Sequence, residues 1–308
     1  MIGEKRPLPP FHRSRFRGCL LGLAAGDAVG TTVEFSPRGS FAPLDDMVGG
    51  GPFGLEPGQW TDDTSMALCL ATSLLDTGVF DARDQMERYW RWWREGYLSS
   101  NGTCFDIGNT VSSALREYRS TGEPMAGSLH PRSAGNGCIM RLAPIPMFFH
   151  RDHEVAVHHS AESSRTTHGT AECLDACRLF GSMMWKALSG LGKEEILLHH
   201  HGLDGLSPGI RSIALGEYRD KDESEVRGSG YVVESLEAAL WCFWRTADFR
   251  TAVLQAANLG DDADTTAAVC GQIAGAYYGE EGIPTVWLDK LAMREEIAVL
   301  AERLLVSA

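Results

Sequence analysis

Apolar residues return every three to four positions over 65–75, 80–93, 110–119, 171–188, 233–244, 249–258, 265–278 and 284–305, which is the spacing of one face of an α-helix. Alternating β-branched residues, the mark of a half-buried strand, are nearly absent. The pattern predicts an all-α globule. Gly and Pro gather at 49–58, 122–131 and 202–209. Each stretch is short and of ordinary complexity, as expected of surface connections within a single compact multi-helix domain. The Pro- and Arg-containing start sets residues 1–14 apart as a tail, leaving 15–308 as the domain.

Inside the first helical segment, Gly18, Gly22, Gly26 and Gly30 stand four apart, which places them on one stripe. Each costs about 1 kcal/mol of helix stability relative to alanine, so the stripe predicts a second backbone packed close against it. Gly271 and Gly275, in a later helical segment, carry the same implication.

Charge narrows the function. Among 308 residues, 28 basic against 41 acidic side chains give a net charge of −13, which argues against a nucleic-acid footprint or docking on an anionic membrane. A small anionic ligand then has to be held locally, by backbone N–H groups, cations or a few arginines. Eight cysteines are scattered without a C-x-x-C pair, fitting reduced thiols that pack as small hydrophobes. The first ten residues lack the apolar core of a signal peptide, and no apolar run reaches the roughly twenty residues of a membrane span. A soluble, cytoplasmic protein is expected. His199-His200-His201, ahead of Gly202, reads as a surface cap where the helix dipole favours positive charge.

Two acidic clusters carry the chemistry: Trp60-Thr61-Asp62-Asp63-Thr64 and Asp261-Asp262-Ala263-Asp264-Thr265-Thr266. Each runs into a helical segment of small apolar residues. Asp and Thr there could simply cap two helices. Alternatively they are two halves of a metal site, since crowded carboxylates push protons back onto one another unless cations compensate. Oxygen ligands without His or Cys favour Mg²⁺, Mn²⁺ or Ca²⁺ over zinc. Two further stretches stand out. Gly102-Thr103-Cys104-Phe105-Asp106-Ile107-Gly108-Asn109-Thr110 sets an aspartate among apolar and flexible residues. Ala134-Gly135-Asn136-Gly137-Cys138-Ile139-Met140-Arg141 forms a glycine-bracketed turn able to offer backbone N–H groups to a phosphate.

Together with Gly22-Leu23-Ala24-Ala25-Gly26-Asp27-Ala28-Val29-Gly30, Glu34 and Ser164-Arg165-Thr166-Thr167-His168-Gly169, these motifs resemble the ADP-ribosylglycohydrolases, and among them the dinitrogenase reductase-activating type. The resemblance spans about residues 15 to 280. It implies an all-α fold and a centre of two divalent cations, Mg²⁺ or Mn²⁺, in a cleft that binds ADP-ribose. Thr61, Asp62, Asp63, Asp262, Asp264 and Thr265 match the family's metal ligands, with Asp261 kept outside. Gly135, Asn136 and Gly137 match a diphosphate loop, His168 and Tyr231 match positions flanking the adenine, and Asn109 joins the substrate-binding set. Asp106, Glu34 and Asp63 are the catalytic candidates.

The implied reaction removes ADP-ribose from arginine side chains of modified proteins. The Phe105-Asp106-Ile107-Gly108 element is similar to the arginine-cleaving branch, and a carboxylate beside a guanidinium makes two charge-assisted hydrogen bonds. Glu34 is expected in a mobile loop, as general base or hydroxyl anchor. Other readings stay open: a protein that binds ADP-ribose or a toxin with little turnover, or a hydrolase of serine- or nucleic-acid-linked ADP-ribose.

Overall fold

The computed structural model describes residues 10–200 and 203–307. Among the described residues, fourteen α-helices make up the fold. They are α1 Pro10–Gly30, α2 Asp62–Thr77, α3 Ala82–Glu95, α4 Asn109–Thr121, α5 Pro144–Phe148, α6 His153–Arg165, α7 Ala171–Leu188, α8 Lys193–Leu198, α9 Pro208–Ala214, α10 Val232–Arg245, α11 Phe249–Ala257, α12 Ala263–Tyr278, α13 Thr285–Lys290 and α14 Arg294–Ser307. Among the described residues, extended pairing is limited to three isolated bridges. No described helix is long and apolar enough to cross a membrane.

The glycine stripe sets the frame. α1 and α12 pack antiparallel with backbones in contact: Gly18 lies against Gly275, Gly22 against Gly271, Gly26 against Ala267 and Gly30 against Ala263. A Cβ on any of the four α1 glycines would overlap a carbonyl of α12. Because the pairing is antiparallel, the C-terminal end of α1 meets the N-terminal end of α12. The large core forms around this pair, with Leu20, Leu23, Phe180, Trp241 and Ile273 fully buried. A second core of Met66, Met86, Tyr89, Trp92 and Leu115 joins α2, α3 and α4.

Helix ends follow local rules. Asp81 caps α3 by accepting from the N–H groups of Arg83 and Asp84, and Gly78, in the left-handed region at φ 72°, closes α2 through Leu74. α1 starts at Pro10, ahead of the helical character read from Arg15 onward, and Arg13 reaches Glu302 of α14 at 2.8 Å. The rest of the expected tail, residues 1–9, lies outside the described residues. The expected segment 284–305 divides into α13 and α14, because Met293 takes a left-handed φ of 56° and Ala292 N–H is donated to Gly58 C=O at 3.0 Å. α5, α6, α8 and α9 carry too little apolar periodicity to be read in advance; the buried face of α6 is Ala156, Val157, Ser160, Ser163 and Ser164.

All eight cysteines are free thiols, seven of them buried. The histidine run departs from expectation. His199 is exposed beyond α8, but His200 turns inward, its Nε2 at 2.8 Å from Leu197 C=O, and burial lowers its pKa to about 4. Desolvation outweighs the helix dipole there. His201 lies outside the described residues.

Candidate active site

Both acidic clusters lie at helix starts, yet in neither does the residue at the capping position cap its own helix. Thr61 before α2 and Asp262 before α12 make no side-chain bond to the first turn. α2 is capped instead by Asp27 from α1. The fully buried Asp27 carboxylate accepts from Thr61 N–H at 2.8 Å, Thr61 Oγ1 at 2.9 Å, Thr64 N–H at 3.0 Å and Thr64 Oγ1 at 2.6 Å. Burial raises its pKa to about 6 against the pull of these bonds. With the cap supplied from another helix, Asp62 and Asp63 are left to face the site.

They face Asp264. One carboxylate oxygen from each of Asp62, Asp63 and Asp264 lies within 4.8 Å of the others, and the same holds for Glu34, Asp106 and Asp264. Asp264 belongs to both groups. Thr61 Oγ1 stands 3.2 Å from Asp264 Oδ2, and Thr265 Oγ1 stands 3.2 Å from Asp63 Oδ1. Asp262 falls outside both groups; its Oδ2 accepts from Asn136 Nδ2 at 2.8 Å.

The electrostatic cost of this gathering is plain. Burial, followed by neighbouring carboxylates, pushes Asp62, Asp63 and Asp264 well above the usual carboxylate range. Glu34 rises to about 10 through burial and then the charges of Asp106 and Asp262, and Asp106 rises to about 7 chiefly through burial. Glu34 Oε2, Asp63 Oδ2 and Asp264 Oδ1 are buried without a hydrogen-bond partner. Unpaired buried oxygens are costly, and divalent cations are the group this oxygen-only donor set fits.

Backbone strain collects at the same place. Among the described residues, five non-glycine residues are left-handed, and three of them, Phe35, Asp106 and Asp261, surround the site. Phe35 N–H is donated to Asp261 C=O at 2.7 Å and Asp261 N–H to Ser36 C=O at 2.8 Å. This exchange ties the loop carrying Glu34 to the loop leading into α12. Glu34, on the loop tied in this way, is 4 % exposed. Asp261 acts through its backbone, with its side chain exposed.

The carboxylates open into a cavity of about 500 Å³. Its wall includes Glu34, Asp62, Asp106, Asp262, Asp264 and Thr265, and continues through Asn109, Gly135, Asn136, Gly137, Gly230 and His168. The 135–137 turn offers fewer donors than expected, since Asn136 N–H is already given to Gly230 C=O at 3.1 Å. His168, 2 % exposed, lies beneath the turn; a Cβ at Gly137 would stand 2.8 Å from its Cε1. Tyr231 stands apart from the cavity wall. It is 38 % exposed, its hydroxyl is 2.7 Å from Glu172, and its neighbour Gly230 lines the cavity.

The sequence model of the ADP-ribosylglycohydrolase family matches residues 8–308. This chain belongs to the ADP-ribosylglycohydrolase family. It is 47 % identical over 288 residues to the ADP-ribosylarginine hydrolase Tri1 of Serratia proteamaculans (strain 568), covering 94 % of this chain and 78 % of that protein. It is 34 % identical over 304 residues to the ADP-ribosyl-dinitrogen reductase glycohydrolase of Rhodospirillum rubrum, covering 93 % of each. Among solved structures, an ADP-ribosylglycohydrolase-related protein complex superposes with a TM-score of 0.85 at 42 % identity, over 96 % of this chain and 99 % of that one.

Sequence reading missed two supports of this ADP-ribosylglycohydrolase site. Asp27 lay inside a quoted motif, but its role as the cap of α2 depends on α1 crossing the start of that helix. Arg141 is fully buried, with its guanidinium 4.6 Å from the Tyr89 ring centroid and its Nη2 donating to Thr167 Oγ1 at 2.6 Å. Arg141 only donates, so Thr167 directs its own hydrogen to its other recorded partner, His168 Nδ1, at 2.8 Å. On that network the ring proton is assigned to Nε2. Burial holds the imidazole neutral, with a pKa lowered to about 4.

Proposed function

We propose that the protein is a metal-dependent hydrolase that removes ADP-ribose from arginine side chains of modified proteins. The observation that carries this reading is the buried carboxylate cluster around Asp264, with three unpartnered oxygens, at one end of a cavity of about 500 Å³. The likeness to an ADP-ribosylarginine hydrolase at 47 % identity supports the choice of linkage.

Thr61, Asp62, Asp63, Asp262, Asp264 and Thr265 would hold two divalent cations, Mg²⁺ or Mn²⁺, and the gathering of Asp62, Asp63 and Asp264 supports this reading. Bound there, the cations would supply charge compensation for the carboxylates and Lewis-acid contacts for ribose hydroxyls. The chain's own residues do the rest. Asp106 accepts hydrogen bonds from the guanidinium and orients the scissile nitrogen. The bond from C1″ of the ribose to that nitrogen breaks with its electron pair going to nitrogen, so the guanidine leaves neutral. Positive charge building on the sugar is met by the surrounding carboxylates. The oxygen of a water joins C1″ while Glu34, which the positive charge of bound cations would return to its carboxylate form, accepts its proton. That proton then passes to the guanidine, restoring its ordinary cationic form. Asn109, the 135–137 turn and His168 line the part of the cavity assigned to the rest of ADP-ribose. Eight free thiols support a reducing, cytoplasmic setting.

A release assay against arginine-, serine- and nucleic-acid-linked ADP-ribose tests the reading. Release from arginine, its loss in EDTA and recovery with Mg²⁺ or Mn²⁺ are expected, with Asp62→Ala and Asp264→Ala beyond rescue. Asp106→Asn is expected to slow arginine release about 10–100-fold, from the loss of charge-assisted hydrogen bonds. Full activity without metal, or binding of ADP-ribose with no release from any linkage, overturns it.

A further inference from the structure

Three phenylalanines from three separate loops form a row of rings, and Phe35 at one end of it lines the cavity. Phe53 stands between the other two, its ring centroid 6.4 Å from Phe35 in an edge-on arrangement and 5.2 Å from Phe105. Phe35 follows Glu34 in the chain, and Phe105 precedes Asp106. Phe35 lines the cavity yet is 65 % exposed, on a left-handed backbone with φ 61°. A bulky residue rarely accepts that conformation, and here the bonds that Phe35 N–H and Ser36 C=O make with Asp261 hold it. Hydrophobic burial is therefore not what holds Phe35 in place.

Phe53 is also set firmly. Gly50 and Leu55 exchange backbone bonds at 2.7 and 2.9 Å, closing a tight loop with Phe53 inside it. Gly51, left-handed at φ 69°, lets that loop press on the Thr31 carbonyl, where a Cβ would overlap it. The rings are thus placed by backbone geometry beside Glu34 and Asp106, while Asn136 and the 135–137 turn stand by Asp262.

We propose that Phe35, Phe53 and Phe105 form an aromatic seat for the arginine side chain and adjoining peptide of the modified protein. The inference rests on the arginine-linkage reading above. A guanidinium held at Asp106 shares the cavity wall with the exposed Phe35 ring, which Phe53 links to Phe105, and a cation is attracted to aromatic faces. Carboxylate and π-faces together select a planar cation over the neutral serine linkage. Adenine is the other ligand such rings could stack, and the test separates the two.

The experiment measures steady-state release from an ADP-ribosyl-arginine peptide, together with the calorimetric Kd of free ADP-ribose, for wild type and for Phe35→Leu, Phe53→Leu and Phe105→Leu. Leucine keeps apolar area and removes the π-face. For Phe35→Leu and Phe53→Leu, KM is expected to rise about 2–5-fold each, the size of an exposed cation–π contact. In these variants kcat should stay within about twofold and the ADP-ribose Kd should not move; Phe35→Trp should restore KM. An equal weakening of free ADP-ribose would assign the rings to the nucleotide and overturn the seat, and an unchanged KM in all three variants would do the same. If wild type releases nothing from arginine, the functional reading fails by itself. The intact peptide then serves as a calorimetric ligand, and the same 2–5-fold loss in the variants tests the seat alone.

Discussion

His168 sits sealed beneath the 135–137 turn as a neutral imidazole, and this ties folding to pH. Its pKa is lowered to about 4 by burial from an ordinary 6.5. Between those values the unfolded chain takes up a proton that the folded chain refuses, so stability falls as pH falls through the window. At about 1.4 kcal/mol per unit the loss is on the order of 3 kcal/mol by pH 4. The buried carboxyl groups of the site, with raised pKa values, titrate in the opposite sense over the same window, so the effect is read as a difference: in urea unfolding from pH 7 to 4, wild type should lose more stability, or gain less, than His168→Gln, which should be less stable at pH 7. An unaltered slope in the variant would sink the assignment. His168 was reached in the sequence through its place in a family-like motif. Its neutrality was not legible there, because that depends on Thr167 and Arg141 closing around it.

Between elements, the α1–α12 contact decides where the site forms. At Gly26 an added methyl would overlap the Ala267 carbonyl oxygen and lie 2.6 Å from its carbon, and both atoms are backbone. Gly26→Ala should therefore destabilise by about 1–3 kcal/mol or more, as overpacking does. It should also blunt stabilisation by Mn²⁺, since parting the helices draws Asp27 and Glu34 away from Asp264. Gly192→Ala, with open space around it, serves as the control and should stay within about 0.5 kcal/mol. Thermal unfolding with and without Mn²⁺ checks both. The glycine spacing revealed this contact because a four-residue period on a helix has few other uses. α6 stayed hidden because its inward face is built largely of serine and alanine, and the α13–α14 break because a single left-handed Met293 leaves apolar spacing intact.

For the whole molecule, cation binding and folding should be linked. The buried carboxylates assemble only in the folded chain, so a divalent cation stabilises that state by mass action, by about 2.7 kcal/mol at a hundredfold excess over Kd. Adding Mg²⁺ or Mn²⁺ to EDTA-treated protein should raise its melting temperature, and Asp264→Ala, which breaks both carboxylate groups, should abolish the rise. A rise of equal size in that variant would place the cation elsewhere.

By itself the sequence determined the helical class, most helix spans, the close backbone contact of α1 and the identity of the carboxylates, because these follow from local periodicity, composition and ordered motifs. It could not decide which carboxylates share space or how helix starts are capped. Those depend on the antiparallel register of α1 on α12, which sets Asp27 at the start of α2 and Asp264 within reach of Asp62, Asp63, Glu34 and Asp106. Like charges repel and do not gather unaided, so only the packed backbone, with its helix crossings and strained loops, holds them together.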